Sequence, residues 1–417
     1  MEKGVFFDPE LLKNVRNEFC MLENDPQSGK RLFFDNSGGS LRLRKAVEAK
    51  YALEQFPDCP ERDHDRGVML KGIVRKGNEE LRDIVFDAQG GSIMTELTAS
   101  QCMFRIVDTI LSSVKGGNAV VSELEHPSAF DSVHFFGGKY GVEVRVAHAN
   151  KETGRIDPEE IDRLCDKNTR LVSVMLASNI SGSVMDMQGI VFAARAKNPD
   201  VYVISDGVQY APHMAMEAGK LGLDAVNFAP YKFFSVRGCG YAYISDRVAR
   251  LPHDKLIAKP YDMFELGTPA PGNFAAMMSV IDYVCSIGAG FTDSTDRKTQ
   301  YREGMWRIHL QERALLYRML SGLRQMKKVH ISADPDTVVG RDLIAGIEIE
   351  GMSVKAAAEE YQRRGIVTAP RAADSLYSKR IVEALGAYNG LVRVSPMHCH
   401  SAEEIDEFLN VTEMMAR

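Results

Sequence analysis

Four short apolar runs in the middle of the chain each end on polar side chains of the kind that do chemistry. After 118–123 (NAVVSE) come Glu125 and His126, and after 171–176 (LVSVML) come Ser178 and Asn179. After 201–205 (VYVIS) come Asp206 and Gln209, and after 224–229 (DAVNFA) come Tyr231 and Lys232. A lysine amine forms an imine with an aldehyde and moves protons. A carboxylate keeps a ring nitrogen protonated. An imidazole stacks on a flat ring, and amides hydrogen-bond a ring hydroxyl. Each residue alone has a plainer reading. Lys232 between aromatic residues is an ordinary snorkelling side chain, and Asp206-Gly207 is an ordinary turn. The ordered set is what points to a site.

The elements that must hold these residues are legible in the same stretch. Strand-like runs also cover 142–147 and 240–245. Helical patterns cover 157–166, 187–197 and 207–220, the first opening on Asp157-Pro158. Continuous apolar strands separated by helices predict a buried, mainly parallel sheet with helices on both faces. Sites in such sheets lie beyond the carboxyl ends of the strands, where the four polar groups fall. The last third changes pattern. A helix is expected over 298–326, strands near 328–332, 343–349 and 390–395, and helices near 354–364 and 402–414. That is a small α+β domain. The expected division is a segment 1–30 packing on the small domain, a large domain 31–285, and the small domain 286–417.

Composition narrows the class. The 417 residues carry a formal charge of −6, which leaves no general basic footprint for nucleic acid. No window approaches a membrane span, and MEKGVFFDPELLKNVRNEF lacks an apolar leader core. Seven cysteines, at 20, 59, 102, 165, 239, 285 and 399, form no CxxC pair, so reduced thiols and a cytoplasmic location are expected. No metal site is expected, since His398-Cys399-His400 alternates faces on an extended chain.

The four-strand constellation suits pyridoxal phosphate (PLP), whose ring acts as an electron sink when its nitrogen is protonated. Residues 95–101 (TELTASQ), before an apolar helical run, read as the anion-binding helix start its phosphate needs. An ordinary N-cap is the plainer reading of that segment alone.

Taken in order, Glu125-His126, Ser178-Asn179 with Gly182, Asp206-Gly207 with Gln209, and Phe228-Ala229-Pro230-Tyr231-Lys232 resemble the class V aminotransferase family of PLP enzymes. That family includes cysteine desulfurases, selenocysteine lyases and isopenicillin-N-epimerase-like proteins. Glu265-Leu266-Gly267-Thr268-Pro269 and Leu391-Val392-Arg393 resemble its later motifs, and the likeness spans roughly 30–415. It implies the PLP-dependent transferase fold type I, with a seven-stranded sheet and a small C-terminal domain. It further implies that Lys232 carries the cofactor and shuttles protons, that Asp206 pairs with the ring nitrogen, and that His126 stacks on the ring. Gln209 and Asn179 would meet the ring hydroxyl, Asn179 also the substrate, and Ala99 and Ser100 the phosphate. Thr268 would reach a phosphate in the partner of a homodimer. Arg393, with Arg371, would hold the carboxylate of a small amino acid.

Two departures stand out. Ala229 and Tyr231 occupy positions where the family often has serine and histidine, so the phosphate needs other donors, Tyr231 hydroxyl or Arg237 being available. The stretch 367–376 keeps Arg371 but has no cysteine where desulfurases carry their nucleophile. Transamination is therefore the first expectation. C–S β-elimination or desulfurase-like chemistry is second, and a cofactor-binding protein without catalysis is third.

Overall fold

The computed structural model describes residues 2–57 and 59–417. A seven-stranded sheet forms its centre: β1 Ser92–Glu96, β2 Asn118–Ser122, β3 Glu143–Ala147, β4 Thr169–Ser173, β5 Tyr202–Asp206, β6 Ala225–Phe228 and β7 Gly240–Ile244. The spatial order is β1-β7-β6-β5-β4-β2-β3. The run from β6 to β3 is parallel, and β7 runs against both of its neighbours. Strand alternation assigns the faces. Val120, Val172, Val203 and Val226 are buried on one side, and Ala119, Val121, Leu171 and Ile204 on the other. With both faces covered, the strands read as unbroken apolar runs.

Helices start where their caps predict. Thr98 accepts from Gln101 N ahead of Ala99–Ser112, and Asp186 accepts from Gly189 N ahead of Met187–Lys197. Such caps stabilise by about 1 kcal/mol each. Ser401 and Glu404 close a capping box on Ala402–Met415. Residues 207–220 depart from the expected helix. They form turns, and a helix appears only at Ala218–Leu221. Pro212 has no amide proton to donate, and Glu217 adopts φ +41. The turns leave Gln209 and His213 free to point inward, and both are buried.

The C-terminal part is an antiparallel sheet in the order Val329–Ile331, Ala345–Ile349, Leu391–Val394, Ala369–Arg371. It packs on the helices Val354–Arg363 and Ala402–Met415 and the end of Arg297–Leu323. The N-terminal segment lies against this part. Arg16 bonds Glu404 at 2.8 Å and Val5 N donates to Leu310 O, and the contact runs past the expected end at residue 30, since Leu32–Phe33 pairs in parallel with Ile366–Val367 and Leu32 and Phe34 join the C-terminal core. The proposed division at residue 285 falls inside the helix Pro271–Ala289, and an irregular stretch, 290–296, follows it.

Candidate active site

The strand ends converge as the topology requires. A cavity of about 190 Å³ is lined by Thr98, Ala99, Ser100, His126, Asn179, Asp206, Gln209, Tyr231, Lys232 and Arg237. That is several times the space of one water. A larger groove of about 740 Å³ runs past Phe6, Lys13 and Arg16. Its Arg16 is paired with Glu23 and Glu404, and none of the strand-end residues lines it.

Lys232 ends a single 3-10 turn, Pro230–Lys232, directly after β6. The chain then turns sharply. Phe234 sits at φ +59, its amide donates to Ser40 Oγ at 3.0 Å, and its ring packs edge-on to Phe19 and His398. A non-glycine residue there costs about 1–3 kcal/mol, which the surrounding aromatic packing sustains. The Lys232 backbone amide donates to Ala229 O at 3.0 Å, and its amine has no hydrogen-bond or ion-pair partner among the described residues. Burial, then the charge of Arg393, lowers its amine to about 8 against the pull of Asp206. An amine so poised is available as a nucleophile and base near neutral pH.

Asp206 closes β5, and its Oδ1 accepts from Val208 N at 2.9 Å. Burial raises its carboxyl, and the Val208 amide and Lys232 charge oppose that rise. Glu125, buried beside it, accepts from Met175 N at 2.6 Å and is held well above the usual carboxyl range by burial. His126 caps Pro127–Tyr140. Its Nδ1 accepts from Ser128 N, which leaves its proton on Nε2. Burial and then Lys232 lower it to about 4, so the imidazole is neutral. Asn179 Oδ1 and Gln209 Oε1 are buried without a partner. Buried polar atoms are rarely left so: Asn179 Oδ1 on the cavity wall calls for a polar ligand, and the Gln209 amide borders both the cavity and His213.

The opposite wall is cationic. At the helix start Ala99–Ser112 the amides of Ala99 and Ser100 take no partner among the described residues. Gly240 lies so close that a Cβ would come within 2.2 Å of Ala99 N. Arg237 stacks on Tyr231 at 3.8 Å and has no ion-pair partner among the described residues. On the other side, Arg393 is wholly buried. Its Nη2 donates to Asp35 Oδ1 at 2.6 Å and its Nη1 to Asn179 O at 3.1 Å. Arg371 lies on the paired strand opposite Leu391, two residues along from the partner of Arg393, and its guanidinium is lowered to about 10 by burial and by Arg393. A flat polar ligand with an anionic arm fits between a helix start, an unpaired arginine, two unpartnered amides and a lysine.

Thr268 lies elsewhere. Its hydroxyl bonds Glu61 on a groove with Pro269 and Lys259, outside the Lys232 cavity. Asp35, His213, Glu312 and Arg42 belong to the surroundings of the site and were not marked by any sequence motif. Arg42 bonds Tyr231 O and is lowered to about 10 by burial and Arg237. No cluster of three or more metal-ligating side chains occurs among the described residues.

Fold and cavity together define a PLP-dependent enzyme of fold type I. The chain belongs to the aminotransferase class-V family, whose model matches residues 32–408. Among similar proteins, a cysteine desulfurase IscS from Methanosarcina thermophila is 24% identical over 94% of this chain and 93% of its own. The aminotransferase-like protein FGM3 of Gibberella zeae is 23% identical over 97% and 98%. The apo structure of a cysteine desulfurase from Thermococcus onnurineus NA1 shares the fold at TM-score 0.82, with 21% identity over 99% of both chains.

Proposed function

We propose that this enzyme breaks the C–S bond of cysteine or a cysteine derivative, and that it does so without a protein-bound persulfide. The overall reaction converts the amino acid and water to pyruvate, ammonium and a free thiol or sulfide. The reading departs from transamination as first choice because relatives spanning most of the chain are named desulfurases. The observation that carries it is a substrate wall with Arg371, Arg393 and Lys232 together, beside a loop, 372–378, that has no thiol.

Bound PLP supplies an electron sink for the substrate α-carbon. In this reading Lys232 would carry the cofactor and take the α-proton. Asp206 would pair its carboxylate with the ring nitrogen, and the neutral His126 would stack on the ring. Gln209 and Asn179 would meet the ring hydroxyl, and Asn179 also the substrate. The Ala99 and Ser100 amides and Arg237 would hold the phosphate, in place of the donors lost at Ala229 and Tyr231. Arg371 and Arg393 would hold the α-carboxylate through charge-assisted bonds. The large domain supplies the cofactor groups and the part after residue 285 the two arginines. A homodimer, with Thr268 facing the partner's site, belongs to the same proposal. Exposed Ile257, Tyr261 and Leu266 near that threonine give it apolar surface.

The test is a product assay on PLP-loaded protein with cysteine and an S-conjugate, without added keto acid. Equal pyruvate, ammonium and thiol support the lyase. A strict need for a keto acid would replace it with amino-group transfer. That second reading is favoured by the FGM3 relative, called aminotransferase-like.

A further inference from the structure

Behind the cavity lies a chain of buried polar groups that the reaction itself does not use. Gln209 Nε2 is 3.3 Å from His213 Nε2, and His213 Nδ1 is 2.7 Å from Glu312 Oε2. Glu312 Oε1 accepts from His398 N at 3.1 Å, and His398 Nε2 is 2.8 Å from Tyr283 OH. His213, Glu312 and His398 are all buried. The chain joins the turn after β5 to the helix Arg297–Leu323 and the segment after Leu391–Val394.

One contact in it is chemically selective. The two ends of a glutamine amide exchange by a half-turn, and only one end suits a given neighbour. A neutral imidazole bonded to Glu312 through Nδ1–H leaves Nε2 as an acceptor, which takes an N–H from Gln209. An imidazolium leaves Nε2–H as a donor, which requires the amide oxygen instead. A buried carboxylate at 2.7 Å, held from its other side by the His398 amide, favours the imidazolium. Other groups facing His213 are Asp342, whose two oxygens have no partner and whose carboxyl burial raises to about 7, so that it supports the imidazolium only in its ionised fraction, and His309, which is neutral. Glu312 and Asp342 together hold His213 up at about 9 despite burial, and His213 holds Glu312 down at about 2.

We propose that His213 and Glu312 are positioning residues: their ion pair turns the Gln209 amide so that its oxygen meets His213 and its NH2 group faces the cofactor cavity. Gln209 thereby presents a donor to the ring hydroxyl, which rests on the reading of the cavity given above. The orientation also leaves no buried donor facing another donor, and it gives the unpartnered amide oxygen a partner. A ring oxygen that receives this donor holds the neighbouring proton less tightly. Loss of the donor moves the proton's release to higher pH.

The experiment is a pH titration of the visible absorbance of bound PLP in wild type, Glu312→Gln and His213→Asn. Glu312→Gln keeps the shape and removes the charge, so the amide is expected to turn over. The absorbance midpoint should rise by roughly one pH unit, the size of one net hydrogen bond. An unmoved midpoint in variants that bind PLP normally would overturn the relay. Failure of the wild type to take up PLP at all would instead overturn the cavity reading. A second measurement does not depend on the variants folding or on PLP. Nitrogen-15 NMR of His213 in the apo wild type should show both ring nitrogens protonated at pH 7, and a neutral ring there would refute the proposal.

Discussion

Arg393 Nη2 donates to Asp35 Oδ1 at 2.6 Å, joining the strand that ends the C-terminal sheet to a loop 358 positions earlier. The guanidinium is fully buried, and the Asp35 side chain is 28% exposed. Asp35 is thus a resident carboxylate at the place where a substrate carboxylate must arrive. The second arginine, Arg371, has no ion-pair partner among the described residues. Two cations with one resident anion leave one positive charge for a substrate carboxylate.

Removing that resident anion isolates its role. Asp35→Asn keeps the shape and leaves the Arg393 cation with only neutral partners. Stability of the cofactor-free protein should fall on the order of 1–3 kcal/mol, measured by chemical denaturation. Saturating amino acid on the PLP-loaded variant should raise Tm more than it does in wild type, because its carboxylate supplies the lost charge. An unaltered stability would mean that solvent already screens the pair.

The phosphate end gives a separate outcome. Arg237→Ala should weaken PLP binding about 10-fold to 100-fold, the scale of one charge-assisted contact. Binding of pyridoxal, which lacks the phosphate, should hardly change. Equal loss for both ligands would mean that Arg237 supports Tyr231 by stacking and does not meet the anion.

The lysine carries a pH signature. Its amine is lowered to about 8 in the folded protein from an ordinary 10.5. Between those values the unfolded chain binds the extra proton, so this residue makes stability rise with pH across the window. Below about pH 8 the folded protein bears the full penalty of a buried cation. His213, raised to about 9, acts in the opposite sense, its stabilisation being lost as pH rises through 9. The difference between proteins separates them. Cofactor-free Lys232→Met should melt a few degrees higher than wild type at pH 7, with the gap closing as pH rises past 8 toward 10.5. A pH-independent gap would assign the gain to packing. The same variant should lose the visible band of bound PLP and at least about 10²–10⁴-fold in activity.

The sequence exposes some of this and hides the rest for physical reasons. Lys232, Asp206, Asn179 and His126 were legible because β2, β4, β5 and β6 are buried on both faces. Their apolar runs announce themselves, and parallel packing sends every run's end to one edge. The turns at 207–217 were missed because Val208, Ala211 and Met214 mimic a helical stripe, while Pro212 and the pull of Glu312 on His213 break it. Asp35 and Glu312 had no local signature at all. Each is defined by a partner 358 or 99 positions away, and no spacing rule spans that distance.

The last outcome concerns sulfur. A thiol attacks as its thiolate, and burial opposes that ionisation. Cys165, Cys239 and Cys285 are each pushed up to about 11 by burial, and Cys102 and Cys399 are raised further. Cys20 and Cys59 are half-buried, and neither lines the Lys232 cavity. None of the seven lines the Lys232 cavity. Leu376, by contrast, is 97% exposed on the loop after Arg371. Wild type incubated with cysteine should therefore release sulfide directly, with no persulfide on any peptide by alkylation and mass spectrometry. Leu376→Cys should divert part of the reaction: its thiolate takes the sulfur from cysteine to give a persulfide at that residue, with alanine formed in place of an equal amount of pyruvate. A persulfide on a wild-type cysteine would show that a thiol reaches the substrate by a motion absent from this geometry, and would overturn the persulfide-free reading.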